Sequence, residues 1–344
     1  CFFLRKCDDG NSSNPLYCDF FRCRQSKPEQ PLVPYKNLSS SSYLAENSDM
    51  NNGTFKIFMA ADPQAGYQQC QDYEGVPSDC INLLCGDALN NGQTCQSSKD
   101  TTPTANLQRL QVKTINKILE KSTAVDSFVG VIINGDITHT ATSEQLLEYV
   151  TEWEDEISIP IFPGLGNHDY QLFVDDVWDN HRNAMMVNFL ADRVERLSNA
   201  GLVTSFDWKR SRKFFDLANF RNGRHWKGSL SYSWDVGKIH FVQLNNHPTY
   251  EVDFDSYNYW FARILAGLGT KSPLPPEEDV VGTREYFYIL DSIDWLINDL
   301  KDANNRGKYS VVNCHIGFFI RDMYHNIESV RNAFDYFNVI AVWV

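Results

Sequence analysis

Four apolar runs in this chain each end abruptly on residue types that ligate metals, and that repetition constrains the fold more than any other feature. The run 55–61 leads into Asp62-Pro63-Gln64, and the run 128–134 into Gly135-Asp136. The run holding Ile159, Ile161 and Phe162 reaches Pro163-Gly164-Leu165-Gly166 and then Asn167-His168-Asp169. The run 309–313 leads into Cys314-His315. Continuous apolar runs of this length read as strands buried on both faces. In open α/β sheets the carboxyl ends of such strands are where ligands bind. Between the runs lie stretches with helical spacing. Leu107, Leu110, Ile115, Ile118 and Leu119 follow a capping Thr104; Leu146, Leu147, Val150 and Trp153 follow a capping Ser143. Two more amphipathic stretches span 177–197 and the segment of Ile293, Leu296, Ile297 and Leu300. Later, 230–235 and 239–245 flank Val236-Gly237 as a hairpin. Early strand–helix alternation with a later hairpin gives an α/β (α+β) chain with a mixed sheet.

The residue types at the strand ends carry their own chemistry. Asn167 offers a carbonyl oxygen to a metal, His168 can donate a proton, and Asp169 is placed to hold that imidazole in orientation and tautomer. His139, three residues past Asp136, supports the site from behind a ligand, reaches the substrate, or packs as a structural residue. Asn245-Asn246-His247 follows a strand end and lines the cleft on position alone. The basic cluster Lys209-Arg210-Ser211-Arg212-Lys213, with Arg221 and Arg224, reads chiefly as a solvated face.

The order Asp-x-Gln, Gly-Asp, Gly-Asn-His-Asp and a later lone His resembles the calcineurin-like metallophosphoesterase superfamily. The resemblance covers roughly residues 55–344 and implies a four-layer α/β/β/α sandwich, two mixed β-sheets flanked by helices. It implies a hydrolase that cleaves a phosphate mono- or diester with two divalent ions, Mn, Fe, Zn or Mg. Asp136 would bridge the ions, Asp62 and Gln64 would hold the first, and Asn167 and His315 the second. His168 would be the general acid, supported by Asp169. Gln64 stands where the family usually has His; an amide oxygen in place of an imidazole favours harder ions such as Mn²⁺ or Mg²⁺, or weakens that site. The run 338–344 looks like the strand that delivers a closing Gly-His-x-His motif, so the natural chain is expected to continue past Val344. The competing reading is a catalytically silent member that uses the fold as an extracellular binding module.

Composition bounds the partners. The formal net charge of −13 argues against a duplex nucleic-acid binder, and no stretch approaches the roughly 18 apolar residues that span a bilayer. The expected partner is a phosphorylated small molecule, lipid or protein. Eight of the nine cysteines, Cys1, Cys7, Cys18, Cys23, Cys70, Cys80, Cys85 and Cys95, fall in loop-rich sequence, whereas Cys314 sits in an apolar strand. An even set in such sequence reads as disulfides, and hence as a secreted or extracytoplasmic protein whose leader has been removed. Asn11, Asn37 and Asn52 match the glycosylation pattern in the same region. The domain reading is a Cys/Ser/Asn-rich extension over 1–52 and one large domain over 53–344, with a Cys-rich insertion at 65–103.

Overall fold

The computed structural model describes residues 5–7, 16–18, 23–24, 55–65, 103–122, 128–171, 180–216, 221–255, 284–316 and 327–344. Most of the insertion 65–103 and the three glycosylation motifs lie outside them, as do the side chains of the eight clustered cysteines. Within the extension, β1 (Arg5–Cys7), β2 (Leu16–Cys18) and β3 (Cys23–Arg24) form a small antiparallel sheet.

β4 (Lys56–Ala60), β5 (Phe128–Ile133) and β6 (Ile161–Pro163) make a parallel sheet. Of the runs expected to be buried strands, those of β5 and β6 are buried, whereas that of β4 is half-buried at the end of its sheet. Val131, Ile132 and Ile133 are fully buried, which is why β5 reads as an unbroken apolar run. A second, mixed sheet runs in the order β15-β14-β11-β10-β7. Its strands are β7 (Ser205–Phe206), β10 (Tyr232–Val236), β11 (Ile239–Gln243), β14 (Tyr309–Asn313) and β15 (Val339–Trp343). The two sheets meet through Phe162 stacked on Trp234 at 4.1 Å and Phe55 edge-on to Phe241 at 6.0 Å. The Tyr232 hydroxyl donates to the Pro163 carbonyl at 2.8 Å, so this aromatic also satisfies its polar end.

Alternate residues of the second sheet serve two cores. Phe241 and Val311 face the inter-sheet core, whereas Val242 and Val312 pack with Leu296, Leu300, Val330 and Phe334. The latter residues belong to α5 (Ile293–Asn305) and α6 (Ile327–Tyr336). On the first sheet's side lie α1 (Pro103–Lys121), α2 (Ser143–Tyr149) with a π-helical turn over Val150–Glu154, and α4 (Asn180–Asn199); the short α3 (Asn167–Tyr170) precedes α4. The architecture is the mixed α/β sandwich with helices on both outer faces. A further sheet, β12-β13-β9-β8, packs beside α4, where Asn188 donates to Glu285 at 2.9 Å. It comprises β8 (Lys209–Asp216), β9 (Arg221–Gly228), β12 (Val252–Asp255) and β13 (Arg284–Ile289), so the basic cluster lies on β8. Arg224 of β9 pairs with Glu285 at 3.8 Å.

Two helical expectations need correcting. On α1 the buried face is Gln108, Val112 and Ile115, while Leu107, Leu110 and Ile118 are exposed. The side facing the sheet is set by tertiary contact, and it is a neighbouring stripe, Gln included, that faces it. On α2 the cap is Thr142, whose side chain accepts from the Gln145 amide at 3.3 Å, and Leu147 is exposed while Tyr149 is buried.

A buried charge cluster ties the second sheet to α5. His240 on β11 meets Asp235 of β10 through Nδ1 at 2.7 Å and Asp299 of α5 through Nε2 at 2.8 Å. Arg306 and Lys308 also face Asp235, Lys308 at 3.5 Å. Burial disfavours the imidazolium, but the hydrogen bonds and charges of the two carboxylates outweigh it and raise the His240 pKa. Burial likewise raises Asp235, yet His240, Arg306 and Lys308 hold it below its ordinary value. The raised His240 contributes stability in full below its unfolded pKa, about 6.5, and loses it as pH rises through the folded value; Asp235 contributes above about 3.9 and loses it on acidification. We expect His240→Gln to lower stability by about 3 kcal/mol near pH 6. Thermal melts should show the gap to the unsubstituted protein narrowing toward pH 9; an unchanged gap would show that His240 is not a buried cation.

Candidate metal centre

Three of the strand-end residues reach the site through unusual backbone turns. Asp62, Gln64 and Asp136 all adopt positive φ, at 51°, 41° and 50°. That region costs an L-residue roughly 1–2 kcal/mol, and such strain persists only where the surroundings over-determine it. Here the main chain does so. The amides of Asp62, Gln64 and Ala65 donate to the carbonyls of Gly135, Asp136 and Ile137 at 3.2, 2.8 and 3.0 Å, lacing the two turns together.

Asp136 is the hub. It is buried, its Oδ1 accepts from the His168 amide at 3.0 Å, and its Oδ2 accepts from the Gln64 side-chain nitrogen at 3.0 Å. Nε2 of His315 lies 3.2 Å from Asp136 Oδ1 and 3.0 Å from the Asn167 carbonyl oxygen. Nδ1 of His315 faces the Asn134 carbonyl at 2.9 Å, an acceptor only, so Nδ1 carries the proton and Nε2 is left to bind. Asp62, Asp136 and His315 offer ligand atoms that all lie within 4.8 Å of one another. Two carboxylates and a directed imidazole nitrogen, with an amide oxygen adjoining, are a donor set that fits a divalent cation.

Electrostatics agree with a cation-seeking pocket. Burial raises the Asp62 pKa, and although His315 opposes this, the nearby Asp136 adds to the rise. Burial also works against ionised Asp136, but His315 and the His168 amide hold its pKa low. Burial lowers His315, yet Asp136 above all raises it to about 9.

A match to the family model described as calcineurin-like phosphoesterase covers residues 108–343. The chain belongs to the calcineurin-like phosphoesterases. A solved dimetal phosphatase from Danio rerio is similar in structure at 13% identity, covering 85% of this chain and 81% of that chain with a TM-score of 0.42. No curated protein matches the chain. The family match contains Asp136, Asn167, His168, Asp169 and His315 but begins after Asp62 and Gln64, whose place in this phosphoesterase is given by geometry alone.

Three side chains differ from the sequence reading. Gln64 turns its amide nitrogen, not its oxygen, toward Asp136. Asp169 does not hold the His168 ring. Fully buried, it accepts from the amides of Ile137, Thr138 and Gly166 and from the Thr138 hydroxyl at 2.8–3.0 Å, so it staples the Asp136 turn to the Gly166 turn. Burial, reinforced by Asp136, raises its pKa to about 6. The His168 ring is oriented instead by the His139 carbonyl, 2.8 Å from Nδ1, and stacks on the His139 ring at 5.0 Å.

Other supports were not foreseen. Asn134 donates to the Cys314 carbonyl at 2.6 Å and accepts from Gln243 at 3.1 Å, joining the two sheets beneath the site. Asn245 accepts from the Leu165 amide at 2.8 Å, and the Asn246 carbonyl receives the amides of His315 and Ile316, both at 3.0 Å. Both asparagines therefore fix the site's loops. His247 is buried, and that burial lowers its pKa to about 4. Cys314 is a buried free thiol whose pKa burial pushes up to about 12.

Gly166 shows how tightly the turns approach. A Cβ there would sit 2.7 Å from the His315 ring carbon Cδ2 and would also meet Asp136. Its φ of −108° is ordinary, so the constraint is space rather than backbone freedom. Gly307 is the converse: φ is +72° at the end of α5, and nothing lies within 4 Å of a Cβ. We expect Gly166→Ala to cost about 1–3 kcal/mol by overpacking and to displace the ligand side chains, lowering metal content measured by elemental analysis. Gly307→Ala should cost about 1 kcal/mol and leave metal content unchanged. Equal metal content in both variants would refute the close-approach argument.

Proposed function

We propose that this phosphoesterase hydrolyses a phosphate mono- or diester at the site built on Asp136, with Asp62, Asn167 and His315 as further ligands of divalent cations and His168 as the proton donor. The convergence of these strand-end residues beside one imidazole carries the reading. When bound, a pair of divalent cations supplies charge neutralisation of phosphoryl oxygens and a nucleophile at neutral pH. The chain's own residues do the rest. Asp136 presents one oxygen toward His315 and the other toward Gln64, so that either oxygen would be available to hold a cation. Because the His139 carbonyl fixes the proton on His168 Nδ1, proton transfer to a leaving oxygen falls to Nε2, and donation from it requires the imidazolium. Asp136 Oδ2 stands 3.9 Å from that nitrogen.

The substrate is a phosphorylated small molecule, lipid or protein. We assign the protein to an extracytoplasmic compartment, a reading supported by the eight clustered cysteines and the glycosylation motifs. Counting free thiols by alkylation and mass spectrometry tests that assignment; eight or nine free thiols would reject it.

His168→Ala should lower kcat by about 10²–10⁴ on alkyl phosphates, with a smaller loss on nitrophenyl phosphate, whose leaving group needs no proton. Asp136→Asn should instead lower metal content and slow both substrates alike. Equal losses on both substrates in His168→Ala would move the acid role elsewhere.

The amide nitrogen of Gln64 facing Asp136 favours a second reading, in which the first site is too poor in ligands and the protein binds phosphorylated partners without turnover. Addition and removal of Mn²⁺ with an aryl phosphate separates the two. Turnover abolished by chelation and restored by Mn²⁺ supports the enzyme; metal binding without turnover supports the silent module.

A further inference from the structure

We infer that Gln108 is a positioning residue for the metal centre, holding the strained Asp62-Pro63-Gln64 turn from helix α1. Gln108 sits on the buried face of α1 with Val112 and Ile115, where an apolar residue would otherwise be expected. Its side-chain nitrogen donates to the Pro63 carbonyl, 45 residues away. Pro63 is itself buried and lies between two residues of positive φ. The main-chain bonds that lace this turn start from Asp62, Gln64 and Ala65 and leave the Pro63 carbonyl, at the apex, to a side chain. Among the described residues, Gln108 is the one that reaches it.

The consequence concerns Asp62. Its carboxylate is the exposed member of the ligand cluster, whereas Asp136 is buried and His315 is held at both ring nitrogens. Asp62 thus depends most on its own turn for its place. Residues that orient ligands from behind shift metal affinity roughly 10–100-fold when replaced. The inference rests on the reading of Asp62 as a ligand.

Calorimetric titration of Mn²⁺ into the full chain tests it. Gln108→Met keeps the volume and removes the donor; Gln108→Leu serves the same purpose should the Met variant fail to fold. Either should weaken Mn²⁺ binding roughly ten-fold. Val112→Ala, one turn along the same buried face, should lower Tm and leave Mn²⁺ affinity unchanged. Asp62→Asn should weaken binding at least as much as the Gln108 variants. Unchanged affinity in the Gln108 variants with a weakened Asp62→Asn would overturn the positioning role while leaving the ligand assignment standing. Unchanged affinity in Asp62→Asn would overturn the ligand assignment and the positioning role with it. Equal weakening in Val112→Ala would show that the effect is general packing, which also overturns the inference.

Discussion

The structure turns on one buried carboxylate that is over-subscribed. Asp136 accepts the Gln64 side chain and the His168 amide and faces the His315 ring, so residues from three other strand ends are referenced to a single side chain. A buried anion with so many donors is stable only while they stay in register. The demand propagates outward. Gly135, at φ +87°, lets the chain turn into Asp136, and a Cβ there would stand 2.7 Å from the His315 ring. Asp169 fixes the two residues after Asp136 to the turn that carries Asn167.

Strain and support are arranged in matching layers. The positive φ values of Asp62, Gln64 and Asp136 are local liabilities, and the apolar runs before them are local assets. Strand β5 is buried on both faces between α1 and the second sheet, so its end cannot drift. The second sheet delivers His315 from β14, and Asn134 and Gln243 hydrogen-bond across the sheet interface directly beneath it. The sandwich is thus what converts four separate strand ends into one cluster: two parallel pairs, β4–β5, whose register shifts between Lys56 and Phe58, and β11–β14, set their heights.

What was legible in the sequence, and what was not, follows from the range of each interaction. The ends of β5, β6 and β14 could be read because burial writes a continuous apolar run, and polar residue types interrupt it; the half-buried β4 keeps the same apolar run. The role of Asp169 could not be read from its neighbourhood to His168. Successive residues of a helical turn point about 100° apart and do not face each other. In α3 the imidazole and the carboxylate therefore serve opposite sides of the turn. Gln108 was invisible for a related reason. A lone polar residue in an apolar stripe looks like an error in the pattern until the carbonyl it serves, 45 positions earlier, is seen. Of the apolar stripe read on α1, Ile115 is buried, while Leu107, Leu110 and Ile118 are left exposed.

The division of labour proposed for His168 and His315 rests on what each ring's Nδ1 touches. Both face a main-chain carbonyl, Asn134 for His315 and His139 for His168, so both rings present Nε2 inward. Nε2 of His315 is held within 3.2 Å of Asp136 and Asn167, a geometry a cation can replace. Nε2 of His168 stands off at 3.9 Å, too far to hydrogen-bond the carboxylate. One imidazole thereby sits within the carboxylate cluster, while the other, stacked on His139, keeps its Nε2 outside it. A difference of under 1 Å in reach, set by which turn carries each ring, is what the roles proposed for the two histidines rest on.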